Sequence, residues 1–181
     1  MPSRDFLVEI GTEELPPKAL DNLAASLEQG IVKGLNREEL NFTASYRYAT
    51  PRRLAVLIHE LQPQQADKTI ERLGPAVSAA FTGQGAPTKA AQGFARSCGV
   101  AVEELDRSKS GDVEKLVFSL KESGRPVQDL LPRLVRDALE QLPVPKRMRW
   151  GNSREEFVRP VHWVVMMYGN KTIPALLLGV E

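Results

Sequence analysis

Apolar positions along the chain change spacing several times, and each change marks an element. Phe6-Leu7-Val8-Glu9-Ile10 is a short β-prone run that Gly11-Thr12-Glu13-Glu14-Leu15-Pro16-Pro17 breaks, which predicts a strand and a turn. From Lys18 the spacing lengthens: Leu20, Leu23, Ala24, Leu27, Ile31 and Leu35 fall on one helical face, with Asp21, Glu28 and Lys33 elsewhere. Gly30 and Gly34 weaken that helix toward its end. Phe42 to Tyr48 and Leu54 to Ile58 read as two strands joined at Ala49-Thr50-Pro51-Arg52-Arg53, a β-hairpin with a Pro-containing loop.

Residues 62–88 hold Gln64-Gln65, Gly74-Pro75, Gly83-Gln84-Gly85 and Pro87 with little periodicity, the strongest signal of an internal boundary or linker. A short helix from Lys89 to Ser97 should stop at Gly99, Val102 to Leu105 gives one more turn, and Lys115 to Leu120 reads as a strand. Val127, Leu130, Leu131, Leu134, Val135, Ala138 and Leu139 mark an amphipathic helix that Pro132 either kinks or enters in the first turn. After Pro143 and Pro145, Met148-Arg149-Trp150, Val161 to Tyr168 and Ile173 to Val180 are strand candidates. Strand pairs interleaved with isolated helices predict an α+β fold, a mostly antiparallel sheet with a few packed helices and room for two small lobes. The expected parts are 1–62, 63–112 as linker plus small helical lobe, and 113–181 packing back on the first. The tail from Ala175 is apolar to Glu181, which suggests a piece of something longer.

Composition narrows the class. With 181 residues, 24 Lys+Arg against 23 Asp+Glu and 42% apolar residues, the chain is an ordinary globular protein without polybasic character. A single cysteine, Cys98, excludes an intramolecular disulfide and a Cys-pair zinc cluster, and fits a cytosolic setting. No apolar run approaches the ~18 residues of a membrane span, and the start lacks a signal-peptide pattern.

The near-neutral total hides an asymmetry. Residues 1–40 carry net −4, whereas 144–163 carry net +3 through Lys146, Arg147, Arg149, Arg154 and Arg159, interleaved with Trp150, Phe157 and Trp163. Arginines among aromatics suit phosphate contact and base stacking, and Arg47, Arg52 and Arg53 add a second basic spot. Arg149 or Arg159 could instead pair with the N-terminal glutamates, and Trp150 and Trp163 could anchor the core. Glu9, Glu13 and Glu14 could act as acid and base or hold Mg²⁺, or simply form a solvated turn; His59 and His162 could shuttle protons, or be structural. Cys98 sits near a helix end rather than at the N-terminus that would activate a thiolate. P-loop, dinucleotide and nucleophile-elbow patterns are absent.

Three phrases together are more specific: Leu7-Val8-Glu9-Ile10-Gly11-Thr12-Glu13-Glu14-Leu15-Pro16-Pro17, Thr50-Pro51-Arg52-Arg53-Leu54-Ala55, and Met148-Arg149-Trp150-Gly151 with Phe157-Val158-Arg159-Pro160-Val161-His162-Trp163. In that order and spacing, with Gly74-Pro75 and Thr88 to Ala95 between, they resemble the N-terminal part of the β subunit of the bacterial two-subunit glycyl-tRNA synthetase. The likeness spans essentially the whole chain, and the family's β chain continues well beyond its last residue. The resemblance implies an α2β2 cytoplasmic assembly that activates glycine with ATP and passes it to tRNA. ATP and Mg are expected at the α subunit, with no cofactor and no catalytic residue in this region. Its implied partners are the α subunit, the rest of the β chain and glycine tRNA, without a membrane. If this region touches tRNA, the candidates are Arg52, Arg53, Lys146, Arg147 and Arg149. Scaffolding or subunit docking is the other role the resemblance leaves open. A stand-alone RNA-binding module is an alternative, and a small hydrolase built on Glu13, Glu14 and His162 is a further one.

Overall fold

In the computed structural model the described residues are 2–110, 113–144, 147–151 and 155–181. In chain order the elements are β1 (Arg4–Thr12), α1 (Leu20–Arg37), β2 (Ala44–Thr50), β3 (Arg53–Leu61), β4 (Lys68–Ala76), α2 (Val77–Ala80), α3 (Lys89–Cys98), β5 (Asp106–Ser110), β6 (Val113–Glu122), α4 (Val127–Glu140), β7 (Met148–Arg149), β8 (Glu156–Phe157), β9 (Val161–Tyr168) and β10 (Lys171–Thr172). They form an α+β fold in which every strand pair is antiparallel.

The chain divides into two units, residues 1–66 with 124–181 and residues 67–123. The first is built on a five-stranded sheet in the order β10-β9-β1-β3-β2. Phe6, Val8 and Ile10 of β1 alternate toward the helices, as do Leu54, Val56 and Ile58 of β3, and all six are fully buried. Over them lie Leu23, Leu27, Ile31 and Leu35 of α1 and Leu130, Leu131, Leu134 and Val135 of α4, in one continuous core. The two helices approach closely because α1 offers glycines there. A Cβ on Gly30 would stand 2.9 Å from that of Ala138, and one on Gly34 would reach the Leu134 side chain at 3.0 Å. What reads in sequence as a weakness of α1 is thus its contact surface with α4. Pro132 is the sixth residue of α4, past its first turn.

β3 carries a bulge. Between Arg4 and Phe6 the register with β3 slips by one residue, and Glu60 takes φ 49° to accommodate it. The Glu60 N–H donates to Asp5 Oδ1 at 3.0 Å, and this bond, helped by His59, holds the Asp5 carboxyl below the usual range. Buried Tyr168 donates its hydroxyl to Leu61 O at 2.8 Å, and burial pushes its pKa up.

The second unit is a three-stranded sheet in the order β4-β6-β5 whose small core consists of Ala80, Ala91, Ala95, Leu105 and Leu116. Residues 62–88, expected to be linker, therefore contain a nine-residue strand and a short helix. The strand is hard to see in sequence because Lys68 to Arg72 are all exposed and supply no alternation of buried positions. Gly74 within it lies against the Phe94 ring, where a Cβ would come within 2.5 Å of ring carbon. The strand expected at Lys115–Leu120 belongs to this unit, paired with β4 and β5. Gly99 ends α3 at φ 74°, as its position predicts.

A further correction concerns the tail. No strand forms over Ile173–Val180: the last strand, Lys171–Thr172, ends just before that range, and Pro174 has no N–H to continue a ladder. Leu177 and Val180 instead close a tight turn through Leu178 and Gly179, both at positive φ.

Candidate interaction site

The three diagnostic phrases meet at one end of the five-stranded sheet. Backbone bonds tie them: Thr12 N donates to Arg52 O (2.9 Å), Leu15 N to Pro51 O (2.7 Å) and Glu13 N to Pro160 O (3.0 Å). Arg159 then locks the junction, its Nε donating to Glu14 O and its Nη1 to Val158 O, both at 3.0 Å, with Met148 Sδ at 3.2 Å. Five of these six contacts end on backbone carbonyls, which a guanidinium or amide must satisfy wherever a loop packs tightly.

Side chains add a second layer of pairing. His162 Nε2 and Glu13 Oε1 are 2.9 Å apart, Arg52 reaches Glu14 at 3.5 Å, and Arg53 reaches Glu9 at 3.6 Å. Arg53 also lies over the Trp163 ring, 5.5 Å from its centroid. The indole rests against Gly11 of β1, where a Cβ would fall 2.3 Å from ring carbons. Gly11 is thus the glycine that lets a neighbouring group approach the strand. Trp163, expected as a core anchor, remains 36% exposed on the sheet, whereas Trp150 packs partly into the core. His59, at the other end of β3, pairs with Asp5 at 3.1 Å.

The candidate cations fall into two groups. Arg52 and Arg53 stand at the β2–β3 turn, each facing a glutamate. Arg147 donates to Glu140 O at 2.9 Å, and Arg149 bridges β7 and β8 through Glu156 at 3.0 Å. Lys146 lies outside the described residues. Arg47 turns to the helix side, where Glu28 at 3.1 Å and Asp21 at 3.6 Å raise its already high pKa, the hydrogen bond that Arg47 donates to Glu28 contributing most. One network escaped the sequence reading: Glu38, just past α1, is largely buried and receives Arg125 (3.1 Å), Gln65 (3.0 Å) and Arg133. Its spacing from these partners offers no local pattern to detect. Among the described residues no group of three His, Cys, Asp or Glu side chains could hold a metal ion, and no helix is long and apolar enough to cross a membrane.

Comparison with known proteins gives this junction its context. The family model described as glycyl-tRNA synthetase beta subunit matches residues 6–181. Proteins named glycine–tRNA ligase beta subunit are similar throughout: that of Hahella chejuensis is 50% identical and that of Chromohalobacter salexigens 52% identical, each over all 181 residues. The protein of Coxiella burnetii is 49% identical over 179 residues. The chain spans 26% of the length of these relatives, at their N-terminal end. A match running from β1 to the last residue, through all three interlocked phrases, makes the chain a member of the glycyl-tRNA synthetase beta subunit family.

Proposed function

We propose that this chain is the scaffold region of a glycyl-tRNA synthetase β subunit, working in a cytoplasmic α2β2 enzyme that attaches glycine to its tRNA. ATP and Mg act at the α subunit in this reading, and the present region organises the β chain for assembly. The observation that carries it is the state of the arginines: Arg52, Arg53 and Arg149 each face a carboxylate of their own unit, and Arg147 a carbonyl. A carboxylate beside an arginine offsets part of its charge, which reduces what a phosphate contact to the same guanidinium contributes.

The test is aminoacylation by the α subunit with a complete β subunit carrying Arg52→Ala, Arg53→Ala and Arg149→Ala together. A scaffold keeps KM for glycine tRNA and its salt dependence unchanged. A phosphate-binding surface would weaken tRNA binding and lower the salt slope by about one for each contact removed, and that result would replace the scaffold with a tRNA-binding role.

A further inference from the structure

The helix-covered side of the five-stranded sheet has an opposite face, and its residues are fixed by register. One row across the strands is Tyr46, Leu57, Leu7 and Met167; the next is Tyr48, Ala55, Glu9 and Val165; the third is Thr50, Arg53, Gly11 and Trp163. Directly opposite residues in an antiparallel pair share a face, so these rows make one surface. Tyr46 is 48% exposed and Tyr48 54%, while Leu7, Leu57, Val165 and Met167 are half-buried. Composition sharpens the anomaly. A sheet with one wet face alternates apolar and polar residues, but β3 runs Leu54-Ala55-Val56-Leu57-Ile58 and β9 runs Trp163-Val164-Val165-Met166-Met167 without a polar break. Such runs belong to strands covered on both sides.

The chemistry of the face selects the occupant. In these rows the one arginine, Arg53, faces Glu9 at 3.6 Å, and Asp5, 3.1 Å from His59, adds a second carboxylate. A polyanion such as RNA would meet two carboxylates there, whereas an apolar protein surface would meet leucine, methionine and aromatic side chains of the type enriched at protein interfaces. The relatives have chain to place there within one polypeptide: this chain matches only their N-terminal 26%, so about three quarters of each relative lies outside the match. A segment of the same chain is held near the face at high effective concentration, unlike a second molecule. We infer that the open face of the five-stranded sheet is the docking surface for the part of the β subunit that follows this region, an inference that rests on the β-subunit reading above.

The test is hydroxyl-radical footprinting read by mass spectrometry at Tyr46, Tyr48, Leu57, Trp163 and Met167, in the 181-residue chain and in the complete β subunit carrying it. The expected result is loss of most of the oxidation at these positions in the complete β subunit alone. Oxidation equal to that of the short chain would overturn the inference. Protection that arises only on adding the α subunit, only with rising concentration of the short chain, or only with tRNA would overturn it as well, by naming a different occupant. Tyr48→Asp provides a second readout: at a position 54% exposed in the short chain it should leave that chain's melting temperature nearly unchanged and lower that of the complete subunit. Equal shifts in both would again reject the docking face. Aminoacylation with the α subunit on the same preparations separates the two readings. An active enzyme with an unprotected face sinks only the docking surface, an inactive one with a protected face sinks only the synthetase role, and failure of both sinks both.

Discussion

The two faces of the five-stranded sheet share strands, length and backbone bonding, yet one is sealed and the other open. On the helix side Phe6, Val8, Ile10, Leu54, Val56 and Ile58 lose all contact with water, while on the other side tyrosines and a tryptophan remain partly wet. The difference teaches that backbone pairing alone does not make a sheet stable: the layer laid over it does, since each fully buried large side chain contributes on the order of 1.5–3 kcal/mol. Substitutions on the two faces should therefore differ sharply in cost.

Leu27→Ala, on the sheet-facing side of α1 at zero exposure, should give the largest loss, about 2–5 kcal/mol in denaturant unfolding, because a cavity forms where α1 meets the sheet. Gly30→Val attacks the same layer by overpacking. Its new atoms would meet the Cβ and Cα of Ala138, and forcing α1 from α4 should cost about 1–3 kcal/mol. A loss from Gly30→Val no larger than that of an exposed helix position would mean the two helices are not tightly apposed. On the open face Asp5→Asn tests electrostatics rather than packing. Asp5 has a lowered folded pKa, so the unfolded chain binds more protons and the group adds stability above the ordinary carboxylate pKa. That contribution disappears as pH falls through the lowered folded value. The stability gap between the parent chain and Asp5→Asn should be present at neutral pH and close in acid, with its size reduced by solvent screening. Urea melts at several pH values check this, and a gap that widens in acid would refute the assigned bond from Glu60. The smallest effect is expected from Tyr48→Ser, within about 0.5 kcal/mol in the isolated chain, as for other surface changes.

Sequence reading reached the helix-covered sheet easily and the second unit poorly. The period of Leu20 to Leu35 and of Val127 to Leu139 marks the helices because burial on one side imposes a 3.6-residue repeat. β4 left no such mark, since most of its residues are exposed and its burial signal is correspondingly weak. Gly30 and Gly34 were legible only as poor helix formers, because their value depends on Ala138 and Leu134, about a hundred residues away in sequence. For the candidate site, the phrases around Glu13, Arg52 and Arg159 could be picked out, but not that they interlock. That fact resides in the register of β1 with β3 and β9, a tertiary property. Likewise the sequence leaves Arg149 between a phosphate and the N-terminal glutamates, and only the folded chain shows that it faces Glu156 while Arg52 and Arg53 face Glu14 and Glu9.

The segment between β3 and β4 and the segment entering α4 run side by side. Gln65 N donates to Arg125 O at 3.0 Å, Val127 N donates to Pro63 O at 2.8 Å, and a Cβ on Gly124 would collide with Gln65 O at 1.8 Å. Glu38 grips both segments through Gln65 and Arg125. The chain thus leaves the first unit and returns to it along two neighbouring, hydrogen-bonded segments of that unit, with residues 67–123 between them in sequence. Closing a short loop across neighbours already in hydrogen-bond contact costs little entropy. In threading, the second unit is an insertion between two adjoining points of the first, so its length is set independently of the strand order of the five-stranded sheet.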